Sequence, residues 1–437
     1  MSSCLKEEMK HRILKALAIP LLLSLFLVPA TVFSLFFPSP CAADGESYSF
    51  VVFGDSRIPA YVPYDKEDKE KLDKLVGLVA GYAMEGQEPE YEAVFDSHSR
   101  LLERIVVPGA SAEQSRTIVY GRDGWPDVFV DKDGEKVKVT LLSSGQEWVY
   151  DNVVRELEKG SAEGQPGPEF CLHTGDIVYF GFQGKTAEES PYWQDFDRRF
   201  LSRLPEGSPE GLPARFYPVL GNHETWGDSD IIGFREMFPY LEKFGFGKDH
   251  RVYHFDFQNA RFAFLDSGVM NPEAPAEWYE STPDYDSQMK LLKQWLEEAV
   301  EEGKEHFFLT LHYPLFCRSG FGPLPPEQNP HELISTFADE ISITVFTGHV
   351  HATEMYRVDG VRYFVAGGGG GEQGLSANEM PESYPEDLYW QGEPRVLDFN
   401  YLVVKVAGEK LEITVKRFRP NEFEPFETVN VVPGLME

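Results

Sequence analysis

Six short apolar runs punctuate this chain, each about as long as a buried strand. They are Phe50-Val51-Val52-Phe53, Phe170-Cys171-Leu172, Phe216-Tyr217-Pro218-Val219-Leu220, Phe307-Phe308-Leu309-Thr310-Leu311, Ile343-Thr344-Val345-Phe346 and Tyr363-Phe364-Val365-Ala366. Near-continuous hydrophobicity, in place of alternation, marks strands buried on both faces, as in parallel α/β sheets. The first five lead into Gly54-Asp55, Gly175-Asp176, Gly221-Asn222-His223-Glu224, His312 and Gly348-His349-Val350-His351. The sixth runs into five glycines, Gly367 to Gly371. Carboxyl ends of such strands share one edge of a sheet, so these polar residues are expected to meet.

Other periodicities fill in the architecture. Glu67 to Ala83 reads as a helix with Leu72, Leu75, Val76 and Val79 on one face. Thr117–Tyr120 and Asp127–Val130 read as strands, and Lys132-Asp133-Gly134 as a hairpin turn into a strand at Val137–Leu142. Val149 to Lys159 is a helix closed by Gly160, and Gly160 to Glu169 is a loop. Arg251–Phe257 and Ala260–Leu265 form a hairpin, and Asp286–Glu302 a helix burying Met289, Leu292, Trp295 and Leu296. Two alternating strands, Tyr401–Val406 and Leu411–Val415, close the chain. The pattern predicts an α/β fold of two stacked sheets with helices outside. Between Asp55 and Asp176 lies a surface insertion at about 60–165, either a substrate-selecting element or a solvated decoration.

Charge narrows the partners. A net charge of -32 argues against a nucleic-acid surface or binding to an anionic membrane. An anionic substrate must then be attracted locally. The N-terminus carries basic Lys10, His11, Arg12 and Lys15, an apolar stretch from Ile13 to Phe37, and small residues at Cys41-Ala42-Ala43. This predicts a signal peptide at 1–43, with a single domain at 44–437, exported to a periplasm or secreted. The alternative is a retained segment that anchors the chain to the membrane. Cys171 and Cys317 remain after cleavage; a bond between them is conceivable, but two buried free thiols are expected.

Two Asp, one Asn and several His without Cys suit two hard-to-borderline metal ions. Asp176 has two oxygens and can bridge a pair of cations. Asn222 offers a neutral carbonyl oxygen where ligand charge must stay low. The glycines at 367–371 lack the Lys-Ser/Thr of a nucleotide loop and are expected to pack tightly near the metals. His98, His250, His254, His306 and His331 fall outside the blocks, and His173 is expected in the core. Tyr192, Trp193 and Trp226 suit core packing better than a substrate mouth.

Together the five blocks resemble the calcineurin-like metallophosphoesterase superfamily, over about residues 48 to 415. The resemblance implies a four-layer α/β-β/α sandwich of two mixed sheets and a dinuclear centre that hydrolyses phosphate esters. It implies Asp55, Asp176 and His351 around one ion, and Asp176, Asn222, His312 and His349 around the other. One position departs: Arg57 stands where the superfamily pattern has His. Tyr179, three residues after Asp176, is then a replacement ligand, an arrangement similar to purple acid phosphatases, where Tyr ligates ferric iron. The implied cofactor is iron with iron, zinc or manganese, or two manganese or zinc ions. Arg57 is expected to grip a phosphate oxygen. His223 is expected to contact the phosphate or protonate the leaving group, oriented by Glu224. The expected activity is hydrolysis of small-molecule phosphate monoesters by metal-activated hydroxide, as an acid phosphatase-like enzyme. A phosphodiesterase of the same superfamily and a non-catalytic exported metal-binding protein are the alternatives.

Overall fold

A computed structural model describes residues 47–57, 145–162, 167–178, 181, 186–225, 228–268, 285–319, 322–371, 380–389 and 399–418. It also describes the backbone of strands at 90–95, 101–106, 116–120, 126–132, 135–139 and 427–430. The chain divides into two units, Met1–Ala43 and Asp44–Glu437, and every described residue belongs to the second. The expected export segment and the helix at Glu67–Ala83 lie outside the described residues.

Strands numbered in chain order build two six-stranded mixed sheets. The first runs β17 (Glu427–Asn430), β16 (Lys410–Phe418), β15 (Phe399–Ala407), β1 (Tyr48–Phe53), β7 (Phe170–His173), β8 (Phe216–Pro218). Its β1, β7 and β8 are parallel, and β15 joins β1 antiparallel. The second runs β13 (Thr353–Val358), β14 (Val361–Ala366), β12 (Ser342–Thr347), β11 (His306–Thr310), β10 (Ala260–Phe264), β9 (Tyr253–Phe257). Here β10, β11, β12 and β14 are parallel.

The sheets stack through aromatic rings. Phe50 of β1 meets Phe262, Phe308 and Phe346 of the second sheet edge-on, with centroids 5.0 to 6.2 Å apart. Three residues along the same strand, Phe53 points the other way and packs on Tyr150 of the helix Gly145–Ala162. That alternation explains why β1 is apolar throughout: one face meets the other sheet and one meets a helix. On the far side, the helix Tyr285–Glu301 buries Leu292, Trp295 and Leu296. The result is the expected four-layer α/β-β/α sandwich.

A third, antiparallel sheet occupies part of the insertion interval, in the order β2 (Glu90–Phe95), β3 (Leu101–Val106), β4 (Arg116–Tyr120), β5 (Pro126–Lys132), β6 (Glu135–Val139). Strands β4 and β5 cover the expected strands at 117–120 and 127–130. Strand β6 pairs antiparallel with β5 and takes in the start of the strand expected at 137–142. The remainder of that strand lies outside the described residues, as do Asp133 and Gly134 of the expected turn. Strands β2 and β3 carry too weak a pattern to read ahead. The helix expected at Val149–Lys159 spans Gly145–Ala162: it starts earlier and runs through Gly160, which does not close it. Cys171 and Cys317 are both buried free thiols, as expected. Tyr192 and Trp193 are buried in the core; Trp226 and His98 lie outside the described residues.

Candidate metal centre

Register brings the strand ends level. Phe53 pairs with His173 and His173 with Pro218, while Thr310 pairs with Phe346. The residues that follow turn over one seam between the sheets. Asp55 and Asp176 leave the first sheet, as do Asn222 and His223 on a short helical turn; His312, His349 and His351 leave the second. Among the described residues, seven non-glycine residues have positive φ, and four of them are Asp55 (54°), Asp176 (58°), His349 (70°) and His351 (46°). Left-handed backbone is uncommon outside glycine, although Asp and His adopt it more readily than most, and four of the seven cases gather at this seam.

Two donor groups form, sharing Asp176. One is Asp176, His312 and His349; the other is Asp55, Asp176 and His351, and within each the donor atoms lie within 4.8 Å of one another. Asn222 joins the first, its Oδ1 3.1 Å from His312 Nε2. The His312 ring is oriented from behind: its Nδ1 donates to the Thr174 carbonyl at 2.8 Å. Nε2 is therefore left with its lone pair, facing Asn222 Oδ1 and, at 3.3 Å, Asp176 Oδ1. Lone pairs facing lone pairs in a buried site are what a bound cation reconciles, so the residues fit metal ions.

Electrostatics agree. Burial pushes Asp55 up to about 7, opposed by His312, Arg57 and the His349 amide. Burial and then the neighbouring Asp55 push Asp176 up to about 7. Both carboxyls thus lack enough positive charge from the chain alone. Burial holds His312 below its ordinary range, and burial followed by repulsion from His312 and His351 holds His349 well below it. Neutral imidazoles with available lone pairs are the ligand form.

The supporting shell is built from backbone. Asp55 accepts the His349 amide at 3.0 and 2.8 Å through its two oxygens, and His351 Nε2 lies 3.3 Å from Asp55 Oδ1. The Glu224 carboxylate accepts the amides of Gly221, Asp176, Ile177 and Val178 at 2.6 to 3.1 Å. It clamps the Asp176 loop against the Asn222 turn. Gly175, with φ 95°, lets that loop pass beneath His312, where a Cβ would sit 2.7 Å from Nδ1. The five glycines pack on the β1 end: Gly369 and Gly371 donate to the Gly54 and Asp55 carbonyls at 2.9 and 2.7 Å, and side chains on Gly369 or Gly371 would strike those carbonyls. They contribute close approach and no donor side chain.

Residues the sequence left unremarked complete the frame. Ser267 Oγ accepts the amides of His312 and Tyr313, and Tyr313 packs on His349 with centroids 4.1 Å apart. The signal was available, since Asp266-Ser267 also follows an apolar strand. Behind Asp55, the Gly175 amide donates to His173 Nδ1, so His173 Nε2 carries the proton and donates to Ser56 Oγ at 2.8 Å. Tyr150 donates to the same Oγ at 2.9 Å. His173 is fully buried, as expected for a core residue. His223 lies beside the centre, its amide 3.1 Å from Asp176 Oδ1 and its Nε2 3.7 Å from Oδ2. Tyr179 lies outside the described residues.

Two back-to-back mixed sheets with this oxygen and nitrogen donor set at one edge define a metal-site α/β sandwich. Residues 141–353 match the family model for calcineurin-like phosphoesterases, and the chain carries a domain of that family. Membership implies a hydrolase of phosphate esters. The match covers Asp176, Asn222, His223, His312, His349 and His351. Asp55 and Arg57 lie upstream and reach the site because β1 pairs beside β7. No curated protein matches the chain. Among solved structures, GAP50, the anchor in the inner membrane complex of Plasmodium, is similar at 15% identity, with 67% of this chain and 85% of that one covered and a TM-score of 0.42. A dimetal phosphatase from Danio rerio is similar at 11% identity, with 88% and 99% covered and a TM-score of 0.41. At these scores neither likeness bears on what this chain does.

Proposed function

We propose that this chain is an exported phosphatase that hydrolyses small-molecule phosphate monoesters at a dinuclear metal centre. The observation that carries the reading is the pair of donor groups sharing Asp176 at the seam of the two sheets. Asp55, Asp176 and His351 would hold one ion; Asp176, Asn222, His312 and His349 the other. Tyr179 would join the first in the manner of purple acid phosphatases, with iron in that position. When bound, the ions supply Lewis acidity toward the phosphoryl group and an activated water.

The chain supplies the remainder. Arg57, on the loop after β1, offers a planar fork of donors to a phosphoryl oxygen. His223 is nearly buried, with Nε2 3.7 Å from Asp176 Oδ2, and would hand a proton to the leaving oxygen. Burial of the seam strengthens each of these interactions by keeping bulk water out. Export is supported by the basic, apolar and small-residue sequence of the first 43 residues.

Kinetics on matched aryl phosphate monoesters and diesters test this. His223→Ala is expected to lower kcat on a monoester by about 100-fold or more, with less loss when the leaving group needs no proton. Preference for the diester would overturn the monoesterase assignment. Equal losses for good and poor leaving groups would remove His223 as proton donor.

A further inference from the structure

The guanidinium of Arg57 sits inside one half of the centre. Its Nε lies 3.4 Å from Asp176 Oδ2 and its Nη2 lies 3.4 Å from His351 Nε2, with the side chain 12% exposed. A guanidinium has donors and no acceptor, so in the ligand form, with the lone pair on Nε2, His351 accepts from it; the same nitrogen lies 3.3 Å from Asp55 Oδ1. That lone pair and the lone pair of Asp176 Oδ2 are donors that an ion in the Asp55–Asp176–His351 group would take. The other Asp176 oxygen is turned away from Arg57. Its Oδ1 lies 3.3 Å from His312 Nε2 and accepts the His223 amide at 3.1 Å. The shared carboxylate is thus divided, one oxygen toward the His312 side and one toward Arg57, with His223 Nε2 3.7 Å from this second oxygen.

We propose that Arg57 is a resident cation of the Asp55–Asp176–His351 half, so that the chain takes up metal in sequence. The Asp176–Asn222–His312–His349 half loads first. The second half loads tightly only when an anionic phosphate group draws the guanidinium away. This rests on the two-metal reading above and adds an order and a trigger to it.

Three physical points support the sequence. Asp55 and Asp176 bring two negative charges, and Arg57 already offsets one of them, so an incoming dication meets a weaker field and a like charge. Movement is confined to a side chain, because the Arg57 amide is tied to the Asp176 carbonyl at 2.9 Å and holds the loop. Finally, phosphate offers the fork a pair of oxygens in matching geometry, a better partner than one carboxylate oxygen and one ring nitrogen. Coupling of this kind is reciprocal: phosphate must tighten the second ion by the factor by which that ion tightens phosphate.

The test is a count of bound metal. Full-length chain stripped with chelator is titrated with Mn²⁺ in equilibrium dialysis, with and without inorganic phosphate. The parent is expected to bind one ion tightly and a second about 100-fold more weakly, with phosphate closing the gap by about 10-fold. Arg57→Ala is expected to bind two ions with similar affinity and to lose the phosphate effect. Arg57→Lys, which keeps the charge without the fork, retains the gap and loses most of the phosphate response. Far-UV circular dichroism of each variant checks that it is folded. Two equal, phosphate-independent ions in the parent, or an unchanged gap in folded Arg57→Ala, would overturn the inference and leave the two-metal reading intact. A folded parent that binds no ion would instead remove both.

Discussion

The two sheets bring different chemistry to the seam. The first ends in oxygen donors, Asp55, Asp176 and Asn222; the second ends in nitrogen donors, His312, His349 and His351. Neither sheet alone presents a complete set for one ion, since each donor group draws from both. The centre is therefore a property of how the sheets dock, and the rings of Phe50, Phe262, Phe308 and Phe346 that hold them together also set the distances between ligands. A second difference follows from the first. Oxygen donors carry charge that burial makes costly, whereas neutral imidazoles tolerate burial, so the first sheet depends more on a cation than the second.

Removing one donor from each side is the strongest way to break the comparison. Asp176→Ala takes a ligand from both donor groups and is expected to lower hydrolysis of an aryl phosphate by at least about 1,000-fold while the fold persists. His312→Ala takes a ligand from one group, and its loss should be at least about 10-fold smaller. Equal losses, measured as kcat/KM on folded protein, would mean that Asp176 does not bridge.

Docking itself comes next. Phe50→Ala removes a fully buried ring between the sheets and is expected to cost about 3–5 kcal/mol in denaturant unfolding. Because the ligands straddle the same seam, the still-folded variant should also bind metal more weakly. Unchanged affinity would show that the loops position the ligands independently of sheet packing.

The charge difference predicts a pH dependence for metal-free protein. Asp55, Asp176 and Glu224 are each raised to about 7 by burial, with Asp55 adding to the rise at Asp176 and Asp176 to that at Glu224. Unfolded carboxyls titrate near about 4. The folded chain then holds more protons than the unfolded chain between these values, so this contribution is full below about 4 and is lost as pH rises through about 7. Thermal melts of chelated protein should fall in Tm from pH 5 to pH 8, and added Mn²⁺ should raise Tm more at pH 8 than at pH 5. Parallel curves with and without metal would place the relieving charge elsewhere.

The smallest expected effect concerns the glycine run. Gly369→Ala pushes a methyl group into the Gly54 carbonyl beside Asp55 and leaves every donor side chain in place. A loss of roughly 1–3 kcal/mol in stability, with metal weakened less than in Phe50→Ala, is expected. An unaffected variant would show that the loop has room to yield.

Much of this was legible along the chain because strand burial and strand-end chemistry are local. Apolar runs such as 50–53 and 343–346 announced their strands, and the blocks after them announced Asp55, Asp176, Asn222, His312, His349 and His351. What escaped depends on backbone partners. The Glu224 carboxylate serves amides at 176, 177, 178 and 221, partners that no side-chain pattern along the chain announces. Thr174 orients His312 through its carbonyl, which any residue would supply, so no side-chain signal exists for it. Strands β2 and β3 lack the strong apolar runs that mark the two main sheets.

By itself the sequence determined the donor types, the strands that carry them and the order in which they occur, since these follow from residue chemistry and short-range periodicity. Only the tertiary structure decided that oxygen donors and nitrogen donors come from opposite sheets. It alone set the left-handed backbone that turns the ligands inward, and it alone placed the Arg57 guanidinium against Asp176 and His351. Those outcomes depend on register and on sheet docking, which are settled by contacts between residues far apart in the chain.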